Sequence, residues 1–224
     1  MRGRTAASPG GRDVTPVLIA DAGGARQRLR LPGTVVPEAF THDHSVLYVL
    51  EWLPPQAPDR YRVRVVDLAT GVAGPLQTRL KQTILAGAEE EMRGDMAIAP
   101  DGSRLYVADL TSGTVAEIST EELTVRRTAA VPVASGPAYA VADDDRLFLG
   151  GAGVVRTVDA VSLRVVAERP VDAPVSGLLL GPDSGRLYVG GREALRWLDP
   201  ASGAELGRVA VPGLVGLRGP VPSS

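Results

Sequence analysis

Met96-Ala-Ile-Ala-Pro-Asp-Gly-Ser-Arg-Leu-Tyr-Val-Ala-Asp109 is an apolar alternating run, a polar turn and a second alternating run of aromatic and β-branched residues. Period-two alternation on both sides of a Pro-Asp-Gly turn specifies a β-hairpin with one buried face on each strand. The pattern returns at Ala39-Phe40-Thr41-His42-Asp43-His44-Ser45-Val46-Leu47-Tyr48-Val49 and at Ala140-Val141-Ala142-Asp143-Asp144-Asp145-Arg146-Leu147-Phe148-Leu149. A fourth copy runs Leu179-Leu180-Gly181-Pro182-Asp183-Ser184-Gly185-Arg186-Leu187-Tyr188-Val189. Self-similarity at such a period means that single units stack to bury their faces, as in a propeller or solenoid.

Each copy leads into a second hairpin, clearest at Val63-Arg64-Val65-Val66-Asp67-Leu68-Ala69-Thr70-Gly71 and Leu195-Arg196-Trp197-Leu198-Asp199-Pro200-Ala201-Ser202-Gly203. There the Asp side chain accepts from following backbone N–H groups and Gly takes positive φ. Weaker copies stand at Val115–Glu122 and Val155–Ser162, and returning outer strands follow at Leu123–Val131, Leu163–Val171 and Glu205–Val211. Four short strands per unit, with 42 residues from Leu105 to Leu147 and 40 from Leu147 to Leu187, predict propeller blades. Leu47 to Leu105 spans 58, the excess lying in Leu53–Arg60 and Leu80–Gly94.

Thr15 to Gly33 reads as the second half of a blade, parallel to Leu195 through Gly213, and Leu214-Val215-Gly216-Leu217 reads as the start of an inner strand. The expected fold is therefore all-β, with four four-stranded blades and a partial blade built from the two termini. Nothing in the sequence supplies strand B of that partial blade, so closure is expected to be incomplete. Residues 1–13 are assigned to a disordered segment, 14–218 to the propeller and 219–224 to a tail.

Hydrophobic residues at 44% and charged residues at 22% suffice for a packed core. A net charge of −2 with no Lys or Arg run offers no footprint for nucleic acid. Absent cysteine removes disulfides and thiolate chemistry. No 18-residue apolar span is present, and the basic N-terminus lacks an apolar stretch behind it, so the chain reads as cytoplasmic as written. A lone lysine, Lys81, among 24 basic residues reflects coding bias and not surface chemistry.

The runs at 100–107 and 181–191 resemble the YVTN-type repeats of bacterial surface-layer and periplasmic propellers, over about residues 14 to 218. The resemblance implies a propeller fold without implying a function. That family's ring usually has seven blades and is often exported, so this chain looks shortened. Val36–Phe40, Pro55–Val63 and Glu89–Gly94 also look similar to longer propellers of high-GC bacteria, with blades lost near Gly94-Asp95.

Candidate sites are few. His42 and His44 form an H-x-H pair able to present two imidazoles to a metal, but they occupy the turn that Pro-Asp-Gly fills in another copy. Glu89–Glu91 and Asp143–Asp145 lack the pattern of a calcium loop and read as solvated turns. Tyr48, Tyr106, Phe148 and Tyr188 recur at one repeat position, which predicts packing between blades. Gly150-Gly151-Ala152-Gly153 precedes no helix and reads as a turn, not a phosphate cradle. Trp52 adjoins a longer loop through Pro54, Pro55, Asp59 and Arg60, the one candidate interaction loop.

No catalytic residue and no cofactor or metal site is assigned. The expected role is a non-catalytic scaffold for a protein or small-molecule ligand, with no nucleic acid and no membrane span. The alternatives are a degenerate propeller hydrolase or oxidoreductase, of the lactonase or quinoprotein kind, and an inactive truncated propeller.

Overall fold

The computed structural model describes residues 4–21, 23–41, 43–53, 60–75, 95–122, 124–181, 184–214 and 216–217. Every described element is a β-strand, arranged in five antiparallel sheets. Sheet 1 holds β1 (Arg4–Ala7), β2 (Val14–Asp21) and β3 (Arg26–Pro32). Sheet 2 holds β4 (Thr34–Phe40), β5 (Val46–Leu53), β6 (Arg60–Asp67) and β7 (Ala73–Pro75). Sheet 3 comprises β8 (Asp95–Ile98), β9 (Arg104–Asp109), β10 (Thr114–Ser119) and β11 (Thr124–Ala130). Sheet 4 comprises β12 (Tyr139–Ala142), β13 (Arg146–Gly151), β14 (Val154–Asp159) and β15 (Val165–Pro170). Sheet 5 comprises β16 (Val175–Leu180), β17 (Leu187–Gly191), β18 (Ala194–Leu198) and β19 (Glu205–Ala210).

Strand order within sheets 2 to 5 follows chain order, so each is a four-stranded meander. Neighbouring sheets meet chiefly through β4, β8, β12 and β16, which places those strands on the inside. This is the radial stacking of propeller blades, and it confirms the all-β propeller read from the repeats.

The alternation in each second strand explains the stacking. Leu47 and Val49 point back into a cluster with Val17, Ile19, Leu29 and Leu31 of sheet 1. Tyr48 and Leu50 point forward, joining Met96, Leu105, Val107 and Ile118 of sheet 3. Tyr106 and Ala108 then point forward against Leu147, Leu149 and Val158 of sheet 4. Phe148 faces Val175, Leu178 and Leu187 of sheet 5. Three aromatics of this row are almost wholly buried, Tyr48 and Tyr106 at 0% exposure and Phe148 at 1%, whereas Tyr188 is half-buried. Full burial of such side chains contributes about 1.5–3 kcal/mol each. Packing between blades, the role expected for this row, is what the structure shows for these three.

Aspartates fix the turns. Asp67 Oδ1 accepts from the N–H groups of Ala69 and Thr70, and Asp199 Oδ1 from those of Ala201 and Ser202. Gly71 and Gly203 close these turns at φ 70° and 69°. Where the repeat has no glycine, Leu163 adopts φ 56° after Asp159 and is 1% exposed. Packing overrides backbone preference there. Of the Gly150–Gly153 stretch, expected to be a turn, Gly150 and Gly151 end β13 and Ala152 and Gly153, at φ 44° and 78°, make the turn to β14.

One expectation is corrected. Residues 1–13 were assigned to a disordered segment and strand B of the partial blade to nothing, but Arg4–Ala7 forms β1 and fills that position. It pairs with β2 from Arg4↔Asp21 to Ala7↔Leu18. The open main-chain edge of β2 selects a partner through backbone groups, which Arg-Thr-Ala-Ala supplies without any apolar alternation to announce it. The segment after it is also tied down. Asp13 O accepts from Gly33 N–H at 2.8 Å, and the buried Thr15 hydroxyl donates to Gly33 O at 2.6 Å. Sheets 2 and 3 pack directly, so β8 follows β4 with no blade between them.

Candidate interaction surface

The β5–β6 hairpin is the longest of the second-to-third-strand hairpins. Its register continues through Glu51↔Arg62, Trp52↔Tyr61 and Leu53↔Arg60. The equivalent hairpins end at Asp109↔Thr114, Gly151↔Val154 and Gly190↔Leu195. Sheet 2 therefore extends two residue pairs beyond the point where sheet 3 turns. Local sequence accounts for it, since Leu50-Glu51-Trp52-Leu53 and Arg60-Tyr61-Arg62-Val63 carry β-forming residues where the other copies carry Asp-Leu-Thr-Ser or glycines.

An ion cluster braces the base of the extension. The Glu51 carboxylate, 6% exposed, accepts from Arg62 Nε at 2.5 Å and lies 3.4 Å from Arg64 Nη1. Arg64 also donates to Ala73 O at 2.9 Å. Two guanidiniums offset the cost of burying that carboxylate. Gly33, at φ 90°, passes so close that a Cβ there would lie 2.9 Å from Glu51 Oε1. The Arg62 side chain remains 50% exposed.

Trp52 sits on the forward face of β5 in line with Tyr48 and Leu50 and is half-buried against the core shared by sheets 2 and 3. Leu53 beside it is also half-buried. Arg60 opens β6 opposite Leu53, while Pro54, Pro55 and Asp59 lie outside the described residues. The structure thus joins Trp52 and Arg60 at one hairpin end. The sequence reading missed Glu51, Arg62 and Arg64, whose signal was an acid and two bases in antiparallel register.

The histidine turn is organised by Asp43. His42 lies outside the described residues, and His44 takes φ 55° with its ring 5.9 Å from that of Phe40. The Asp43 carboxylate accepts from the Thr41 hydroxyl (2.7 Å), the Ser45 hydroxyl (2.8 Å) and the Ser45 N–H (3.0 Å). These bonds, led by that from Thr41, hold its pKa at about 2. Among the described residues no three His, Asp or Glu side chains gather as a metal site. Glu89–Glu91, the possible calcium run, lies outside the described residues. Asp143 is a turn residue, accepting from Arg146 N–H at 2.6 Å and pairing with the Arg146 guanidinium at 2.7 Å.

Polar groups elsewhere fasten sheet to sheet. Gln27 of β3 donates to Leu68 O in the third turn of sheet 2 at 2.9 Å. Arg127 of β11 donates to Ala160 O and Val161 O of sheet 4 while pairing with buried Glu117. Arg169 of β15 donates to Ser202 O of sheet 5 at 2.8 Å. A cavity of about 170 Å³ between the Val171–Ala173 connection and the β17–β18 hairpin is lined in part by Arg196, which pairs with Asp172 at 2.5 Å and Glu205 at 3.3 Å. Among the described residues no helix is long and apolar enough to span a membrane.

No protein-family model and no curated protein sequence matches the chain. Solved β-propeller structures do. The Mitotic Checkpoint Complex superposes with a TM-score of 0.63 at 17% identity, over 89% of this chain and 59% of that one. Kuenenia stuttgartiensis Hydrazine Synthase superposes with a TM-score of 0.57 at 16% identity, over 77% of this chain and 48% of that one. The chain thus accounts for about half of each, and at such identity the likeness shows the fold alone. By sheet order, inter-sheet packing and these superpositions, the chain folds as a β-propeller array.

Proposed function

We propose that this protein is a non-catalytic β-propeller of the YVTN-repeat type that binds a protein partner through the extended β5–β6 hairpin. The repeat type rests on the Pro-Asp-Gly-Ser-Arg-Leu-Tyr-Val run and its relative at 181–191. One observation supports the binding role: this hairpin outreaches its counterparts by two residue pairs, carrying Trp52 on its forward face and the half-exposed Arg62 side chain on its rear face. An aromatic and an arginine on a rigid strand pair are the groups that dominate binding at protein interfaces. Asp43, Asp143 and Arg127, by contrast, are engaged inside turns and between sheets and so serve architecture.

The test is affinity capture with the intact protein and with a variant in which residues 52–61 are replaced by an Asn-Gly turn. That turn suits a two-residue hairpin and leaves the Glu51↔Arg62 pair in place. Loss of captured protein by a variant that still melts cooperatively as a folded protein supports the reading. Equal capture by both proteins, or turnover of a lactone or alcohol by the purified protein, sinks it.

A further inference from the structure

We infer that the groove between sheets 4 and 5, beside Arg196, is a binding site for a small apolar monocarboxylate. The cavity of about 170 Å³ there is walled by Val171 and Ala173 of the connection, Val189 and Ala194 of the hairpin, and the backbones of Gly190 and Gly191. An interior space of about 150 Å³ admits benzene, so this one has room for a single ring or a branched chain of similar size. Apolar walls with a few polar groups to fix orientation are the make-up of small-molecule sites.

Between sheets 3 and 4 the corresponding room is filled. There the β9–β10 turn spans four residues between Asp109 and Thr114, and a Cβ at Gly151 would lie 2.9 Å from Leu110 Cδ1 of that turn and 3.2 Å from Pro137 O. The connection from β11 to β12, residues 131–138, also brings Ala134 to Gly151, at 4.0 Å. Between sheets 4 and 5 the β13–β14 turn is Ala152-Gly153 alone, and the connection from β15 to β16 is cut to residues 171–174. Gly191 holds in sheet 5 the place of Gly151 in sheet 4, yet a Cβ there would meet nothing nearer than Ala194 O at 3.6 Å and Ala173 Cβ at 3.7 Å. Two short connections thus leave out the side chains that close the neighbouring groove.

Arg196 stands opposite Val189, whose side chain faces sheet 4, and its own side chain is 16% exposed. Arg64 and Arg156 hold the same repeat position, opposite Val49 and Leu149, so the guanidinium comes with the repeat and the space beside it does not. Its acid partners, Asp172 and Glu205, are 74% and 38% exposed. An ion pair with a carboxylate that exposed contributes little, so Asp172 yields the guanidinium at small cost. A ligand carboxylate takes its place with two parallel N–H···O bonds, and the hydrocarbon part is buried against the apolar walls. Asp172, Glu193 and Glu205 repel a second negative charge, which selects a monocarboxylate. The site uses neither the β5–β6 hairpin nor a protein partner, so its failure would leave that reading standing.

The test is titration of the isotope-labelled full chain with benzoate, read by amide chemical shifts, beside benzyl alcohol, benzylamine and acetate. Benzoate is expected to give saturable shifts centred on Ala173, Gly190 and Gly191, with a dissociation constant of about 1 mM, the strength open to a ligand of so few atoms. The other three should bind at least about tenfold more weakly, since each lacks the charge or the ring. Asp172→Ala removes the competing carboxylate and should tighten benzoate binding about threefold. Gly191→Leu puts a side chain into the cavity, as Leu110 does in the neighbouring groove, and should weaken binding at least about tenfold. The Gly191 backbone is not left-handed and so accepts the substitution, and thermal melts verify that both variants fold. Absence of these shifts at about 10 mM benzoate overturns the inference. So does equal binding of benzyl alcohol or benzylamine, binding indifferent to Gly191→Leu, or binding that Asp172→Ala does not tighten.

Discussion

Replacing Tyr106 by Phe should stabilise the protein by about 1 kcal/mol, against the usual direction of a core substitution. The Tyr106 side chain is 0% exposed and its hydroxyl meets no hydrogen-bond partner among the described residues. Burial also pushes the phenol pKa up, the mark of a hydroxyl removed from water. An unsatisfied buried hydroxyl costs about 1–3 kcal/mol. Deleting it leaves a void of roughly one oxygen, about 10 Å³, which at about 24 cal/mol per Å³ costs only ~0.2 kcal/mol. The balance favours Phe by about 1 kcal/mol or more. Sheet 4 makes the same choice, because Phe148 holds the equivalent position with Arg146 5.5 Å from its ring, as Arg104 lies 6.0 Å from that of Tyr106. With an unfolding entropy of about 2.1 cal/mol/K per residue, 1 kcal/mol corresponds to a rise of roughly 2 °C in Tm. Urea and thermal denaturation of wild type and Tyr106→Phe measure the difference. A loss of 1 kcal/mol or more would refute the reasoning, since it would mean that the hydroxyl is bonded in solution.

Leu163 combines a left-handed backbone with full burial, so Leu163→Gly relieves about 1–2 kcal/mol of strain while Leu163→Ala keeps it. Both lose about 2–5 kcal/mol of packing, and urea midpoints should rank the Gly variant above the Ala variant; the opposite order refutes the strain. Acid should weaken the protein through its turn aspartates. Asp43 is held at about 2, and Asp67, Asp101, Asp159 and Asp199 are also held below the usual 3.8 by bonds from neighbouring N–H and hydroxyl groups. A depressed folded pKa gives stability that is present above 3.8 and lost as pH falls toward about 2. Urea midpoints should therefore fall across that window, and Ser162→Ala, which removes the leading bond to Asp159, should make the fall shallower.

The repeat was readable because its signals are local. Alternation around Leu105-Tyr106-Val107 sets which side chains share a face, and an aspartate three or four residues before a positive-φ position builds its turn from its own neighbours. Strand count, sheet order and the buried aromatic row follow from such information. The candidate loop was legible only in part. Trp52 was found by its type beside a proline-rich stretch, whereas Glu51, Arg62 and Arg64 converge through strand register, eleven and thirteen residues apart along the chain.

Other features belong to the assembled fold. Arg4–Ala7 is a strand because β2, paired to β3 on one side, presents an open main-chain edge on the other. Arg127 and Arg169 find carbonyls 33 residues ahead, at turns that neighbouring sheets bring alongside. Tyr188 has the same sequence context as Tyr106, yet one is half-buried and the other sealed. Periodicity dictates the direction in which a side chain points, but whether another sheet lies in that direction depends on how the units stack. Main-chain pairing and face-to-face contact carry no residue signature, so β1, the inter-sheet fastenings and the half-burial of Tyr188 were settled by tertiary packing.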